Sequence, residues 1–140
     1  MIRKAKKSDI KSISSILIEV SLTDIDKIGK NALKNYLSYV VKSKNYVVLV
    51  AEESKVLGFC ISQIGVPMPD CAELIDIDVS KKEHGKGIGQ KIMAELYKSL
   101  KKKKIKNLGL YSENIPKTIN FYEKQGFKRG RKVIRFDKKL

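Results

Sequence analysis

Apolar positions along the chain repeat with two different periods, and the changes between them mark its elements. Residues 1 to 5, MIRKA, predict a short first strand. Ile10, Ile13, Leu17 and Val20 then recur at helical spacing behind a Ser8-Asp9 cap. After the polar connection SLTDIDKIG, Leu33, Leu37, Val40 and Val41 share one side of a second helix. YVVLVAEE (46 to 53) is strand-like, Ser54-Lys55 makes a turn, and VLGFCISQI returns, which predicts a hairpin. The loop GVPMPD breaks the chain with two prolines, and AELIDIDVS (72 to 80) alternates as a strand. Ile88, Ile92, Leu96 and Leu100 stand four apart and, with Met93 and Tyr97, predict a third helix. LGLYS (108 to 112) predicts a strand. A last helix opens at Pro116 and ends at Gly126, and FKRGRKVIRFDKKL holds one or two final strands. The fold class is therefore α+β with a mixed sheet, in the order β-α-α-β-β-β-α-β-α-β(-β). No repeat or linker divides the chain, so residues 1–140 are expected to form a single domain.

Composition narrows the classes of function. Hydrophobic residues make up 42% and charged residues 32% of 140, which suits a folded domain. No apolar run approaches the ~20 residues of a membrane span. The start, MIRKAKKSDIK, lacks the apolar core of a secretory signal, so the expected location is cytoplasmic, with no membrane partner. Cys60, Cys71 and the single histidine, His84, share no metal-ligand spacing, and no metal site is expected. Cys60 falls in an apolar run and reads as a buried hydrophobe, Cys71 as a free thiol in a loop. The net charge of +15 could draw nucleic acid, an anionic cofactor or an acidic partner. The lysines are scattered without interleaved aromatic residues, so nucleic acid is not the expected partner, although the charge leaves it open.

The stretch EHGKGIGQKI places Gly85, Gly87 and Gly89 between the 72–80 strand and the third helix. A glycine-rich turn feeding a helix start offers unpartnered N–H groups and a positive dipole end to an anion. Lys86 and Lys91 add charge. A dinucleotide fingerprint fails because Gln90 stands where its third glycine belongs, and a P-loop fails for want of Gly-Lys-Ser/Thr. From the glycines alone, a tight turn without a ligand is also open.

The surrounding residues resemble a known family. IDVSKKEHGKGIGQKIM is similar to motif A of the acetyl-CoA-dependent N-acetyltransferase (GNAT) superfamily, with Ile77 and Val79 ending the strand and Gly87-Ile88-Gly89 ending the loop. His84 stands where the family has Arg or Gln. Downstream, NIPKTINFYEKQGF resembles motif B, with Phe121-Tyr122 and Gly126-Phe127 in register, Thr118 in place of alanine, and Asn114 one residue upstream of the usual asparagine. IRKAKKSDI and AEESKVLGF resemble the family's opening strand and its second-to-third strand turn, so the likeness spans nearly the whole chain.

The resemblance implies a GNAT fold with six to seven strands and about four helices. It implies acetyl-CoA as cosubstrate, held by Ile77, Asp78, Val79, His84, Gly85, Lys86, Gly87, Ile88, Gly89, Asn114 and Tyr122. It further implies parted fourth and fifth strands, with the pantetheine arm along the free edge near Ile77 to Val79. Tyr122 matches the family's general acid, and Glu73 stands where several members place a carboxylate base, with Asp76 next in preference. Strict alternation along that strand points Asp76 and Asp78 to the face opposite Glu73. The acceptor pocket would be built by SLTDIDKIGKNALKNY, where Asp24 and Asp26 could attract a cationic amine, and by the basic tail. Three readings stay open: acetylation of a small-molecule amine, acetylation of protein N-termini or lysines as in ribosomal proteins, and a non-catalytic acetyl-CoA-binding or nucleic-acid-associated module. Homodimers are common in the family, so one is among the expected states.

Overall fold

The computed structural model describes residues 1–21 and 29–140. Five strands, β1 (Ile2–Lys4), β2 (Tyr46–Glu52), β3 (Val56–Ile64), β4 (Cys71–Val79) and β5 (Asn107–Leu110), form one sheet in sequence order. The first four pair antiparallel and β5 joins β4 in parallel. Helices α1 (Ile10–Ser21) and α2 (Lys30–Lys42) cover one face. α3 (Ile88–Lys102) covers the other, with side chains of α4 (Pro116–Lys124) packed against the same cluster.

Both faces being covered explains why YVVLVAE is apolar throughout rather than alternating. Val48 and Val50 bury against Ile13, Leu37 and Val40, whereas Val47, Leu49 and Ala51 bury against Ile92, Met93 and Leu96. The four-residue spacing of α3 accordingly becomes a fully buried stripe, with Ile92, Met93 and Leu96 all at zero exposure. Asp9 does not cap α1. It sits in a short 3-10 turn (Lys7–Asp9), where Oδ2 accepts from the Lys6 N–H at 2.7 Å and the two carboxylate oxygens accept from Arg3 at 2.8 and 2.9 Å. Arg3 also donates to Glu52 at 2.7 Å, so one guanidinium binds β1, β2 and the start of α1 together.

Two differences from the sequence-based expectation bear on function. The first lies in β4. Ile61 pairs with Asp76 but Ser62 pairs with Leu74, so Ile75 is an extra residue, a β-bulge. Directly paired residues share a face. Gln63 and Glu73, Ile61 and Asp76, and Phe59 and Asp78 therefore lie on the α1/α2 face, where Ile61 and Phe59 are buried. Glu73, Asp76 and Asp78 thus share a face, because the bulge cancels the alternation that would have separated them.

The second difference is at the C-terminus. Among the described residues five strands stand where six to seven were expected, since residues 128–140 form no strand. Val133, Ile134 and Phe136 remain exposed. This tail carries seven cationic side chains, and two of its arginines are engaged by nearby acids: Arg129 on Glu123 at 2.9 Å and Arg135 on Asp137 at 2.7 Å. A dense positive segment with only three large apolar residues before its last position has little to gain by pairing with β5, an edge strand of four residues.

Candidate active site

β4 and β5 pair only from Cys71–Asn107 to Leu74–Leu110. Beyond the bulge, the edge of β4 from Ile75 to Val79 has no β5 partner, and the two strands part. A cavity of about 460 Å³ opens there, lined by Ile77, Asp78 and Val79, by the loop residues Glu83, His84, Gly85 and Gly87 to Gln90, and by Val20, Lys117, Thr118, Phe121 and Tyr122.

The loop is shaped by its glycines. Gly85 and Gly87 have φ of 78° and 75°, a conformation that costs an L side chain roughly 1–2 kcal/mol. Gly87 is the N-cap of α3, and a Cβ there would also meet Gln90 Oε1 at 3.1 Å. The first bond closing onto the loop runs from the Lys91 N–H to the Gly87 carbonyl at 3.1 Å, so the amides of Ile88, Gly89 and Gln90 precede it at the positive end of a 15-residue helix. These features fit a phosphate-bearing cosubstrate: bare backbone on the cavity wall, open N–H groups, and a helix dipole.

The side chains of the loop largely hold the loop itself. His84 Nε2 lies 2.7 Å from the Val79 carbonyl oxygen, a contact that needs the proton on Nε2. Lys86 Nζ donates to Glu83 Oε2 at 2.7 Å, and this ammonium holds the Glu83 carboxyl below the usual range. Glu19, near the end of α1, accepts from the Ser80 hydroxyl and from the Lys81 N–H, both at 3.1 Å.

Tyr122 stands at the parting of the strands. Its ring packs edge-on to Phe121 and Phe127, with centroids 5.2 and 5.7 Å away, so its orientation is fixed by the aromatic cluster. Burial raises its pKa, and Asp78 and Asp76 raise it further, which keeps the phenol protonated. Across β4, burial and the neighbouring Asp78 push Asp76 up to about 6. From α2, Tyr36 approaches the same carboxylate; burial, then Asp76 and Tyr46, push its phenol up to about 12.

The model of the acetyltransferase (GNAT) domain matches residues 44–129. The chain belongs to the GNAT acetyltransferase family. No curated protein sequence matches it. Among solved structures it is similar to AAC(6')-Iy in complex with the bisubstrate analog CoA-S-monomethyl-acetylneamine, with 13% identity, a TM-score of 0.82, and 100% of this chain and 98% of that one covered. It is also similar to PaiA N-acetyltransferase from Thermoplasma acidophilum in complex with coenzyme A, with 24% identity, a TM-score of 0.75, and 91% and 89% covered. A third likeness is to an aminoglycoside acetyltransferase from an uncultured soil metagenomic sample, in complex with trehalose, at 17% identity and TM-score 0.81, with 100% and 95% covered. At these identities the likeness is one of fold.

Within this GNAT domain, Ile77, Asp78, Val79, His84, Gly85, Gly87, Ile88, Gly89 and Tyr122 all line the one cavity. Lys86 turns to Glu83 and is not among its lining residues. Asn114 is exposed and lines a different space of about 980 Å³ between β5, α4 and the tail, which it shares with Tyr122. Glu73 lies where β4 still pairs with β5, opposite Gly109, ahead of the parting. Asp24 and Asp26 lie outside the described residues. Cys60 is fully buried and Cys71 half-buried, both as free thiols; burial pushes the Cys60 thiol up to about 12. Among the described residues no helix is long and apolar enough to cross a membrane. Tyr36 and Glu19 carry no sequence signal, being a tyrosine and a glutamate on otherwise ordinary amphipathic helices. The shared face of the acids was detectable: the apolar pair Leu74-Ile75 interrupts the alternation where the bulge falls.

Proposed function

We propose that the protein transfers the acetyl group of acetyl-CoA to a primary amine, and that the amine approaches Asp76 from the α1/α2 face. The observation that carries this reading is the single cavity that joins the glycine loop to the Tyr122 ring at the gap between β4 and β5. Bound there, acetyl-CoA would supply an acetyl thioester. The N–H groups of Ile88, Gly89 and Gln90 would hold its diphosphate, and the unpaired edge from Ile77 to Val79 would align its pantetheine arm.

An amine of pKa about 10.4 has to lose a proton before it can attack a carbonyl. Asp76 is suited to take that proton, directly or through water, because a carboxylate raised to about 6 is ionised at neutral pH and more basic than an ordinary one. Glu73 is the weaker candidate, since it precedes the point at which the strands part. Asp76 and Asp78 on one face would also favour a cationic acceptor over an anionic one. On the other side of β4, the Tyr122 Oη–H would donate its proton to the departing sulfur, whose thiol has an ordinary pKa of about 8.5. The acceptor is then a small amine or an exposed amine of a peptide.

Tyr122→Phe tests the acid. The ring and its packing are kept, so coenzyme A binding by calorimetry should stay within about twofold, while kcat falls by about a hundredfold, the usual contribution of a positioned proton donor. Unchanged kcat would remove Tyr122 from the chemistry.

A further inference from the structure

The loop that begins after β4 has an anchor outside itself. Ser80 occupies the N-cap of the 3-10 turn Lys81–Glu83, but its hydroxyl does not cap that turn. It donates instead to Glu19 Oε2 at 3.1 Å, while Glu19 Oε1 accepts from the Lys81 N–H at 3.1 Å. A carboxylate on α1, 61 and 62 residues away in sequence, thus does the work of a capping side chain. Bonds to an ionised acceptor are about twice as strong as neutral ones. The next residue on α1, Val20, lines the same cavity as the loop.

Downstream of that anchor the loop's restraints are short-range bonds of its own, the Lys86–Glu83 ion pair among them. The Glu83 N–H bonds to the Ser80 carbonyl at 2.8 Å, the His84 N–H to the Lys81 carbonyl at 3.3 Å, and His84 Nε2 reaches Val79 at 2.7 Å. Gly85 and Gly87 then give the backbone its greatest freedom where it must hold one geometry. Fixing Ser80 and Lys81 from outside sets where the following amides point. We infer that Glu19 is a positioning residue for this loop, holding its start against α1 so that the amides before α3 are set in place for the phosphates of coenzyme A. The coenzyme part of this inference rests on the proposed function; the loop part does not.

The sign of the effect separates positioning from charge. If Glu19 acted only as a negative charge near an anionic ligand, removing it would tighten coenzyme A binding. As a positioning residue, its loss weakens binding. Glu19→Ala should raise the Kd for coenzyme A by about tenfold, with the kinetic effect falling on the KM for acetyl-CoA more than on kcat. Glu19→Gln removes the charge but keeps an oxygen acceptor for the Lys81 N–H, so it should restore most of the affinity. Ser80→Ala should weaken binding by about threefold and add little to Glu19→Ala, because the two share one interaction.

Amide exchange measured by NMR without ligand tests the anchor separately, with Lys81 and Glu83 exchanging about fivefold faster in Glu19→Ala. Equal or tighter coenzyme A binding by Glu19→Ala, or unchanged exchange at Lys81 and Glu83, would overturn the inference. If Glu19→Ala fails to fold, Ser80→Ala decides by the same two readings. Wild-type protein that binds no coenzyme A would instead count against the proposed function, and the exchange result would still decide whether Glu19 sets the loop.

Discussion

Asp76, the proposed base, carries a cost in stability. Burial and Asp78 raise its pKa to about 6 in the folded chain, against an ordinary value of 3.8. A carboxyl raised on folding gives its full share of stability below the unfolded value and loses it as the pH climbs through the folded one. Between these values the native state binds the extra proton, so the chain should lose stability from about pH 4 to pH 6. Asp76→Asn removes that penalty and should stabilise the protein at pH 7 by on the order of 2 kcal/mol, with the gain vanishing below about pH 4 in thermal melts. The same substitution should abolish the rise of kcat/KM through about pH 6 that an ionising base produces. An Asp76→Asn enzyme that kept that rise would place the base elsewhere, and Glu73→Gln would be the next variant to measure. The sequence places three acids, Glu73, Asp76 and Asp78, on this strand. It does not show which of them is raised, because that depends mainly on how deeply the folded chain buries each carboxyl and only secondly on a neighbour such as Asp78.

At the scale of elements, the helices and the central hairpin were readable because each has one dominant period. Leu33, Leu37 and Val40 bury together on α2 as their spacing requires, and Tyr46 to Ile64 form the expected pair of strands. β4 was readable as a strand, but IDID looks like ideal alternation and hides its facing, and the one visible sign of the bulge that re-aims everything after it is the apolar pair Leu74-Ile75. The last strands were not recovered because charge, rather than periodicity, governs the tail. The end of β4 also depends on its neighbour. Gly58 pairs with Val79, and a Cβ on Gly58 would stand 2.9 Å from the Asp78 carbonyl oxygen and 3.3 Å from Ile92 Cδ1. Backbone cannot yield as a flexible side chain can, so Gly58→Ala should cost about 1–3 kcal/mol in denaturant unfolding and weaken coenzyme A binding by shifting the edge that lines the cavity. Equal stability would mean that β4 is free to move away from β3.

The whole molecule is a sheet with a core on each face, and at its N-terminal edge Arg3 ties β1 and β2 to the turn that precedes α1. Its guanidinium binds Asp9, which is 5% exposed, and Glu52 at the end of β2. Arg3 holds the Asp9 carboxyl below the ordinary carboxylate range. The stability this gives is present in full above that range and is lost as the pH falls through the lowered value. Arg3→Ala leaves Asp9 buried with only the Lys6 N–H, and should cost about 2–4 kcal/mol, read as a lower midpoint in urea. A loss under about 0.5 kcal/mol would mean that solvent already reaches the pair.

Acetyl transfer as proposed requires the amides between β4 and α3 to hold the diphosphate of coenzyme A. A titration of the ¹⁵N-labelled protein with coenzyme A, followed by amide NMR, tests it directly. The largest shifts are expected at Gly85, Gly87, Ile88, Gly89 and Gln90. Saturable binding that left those five signals in place would contradict it.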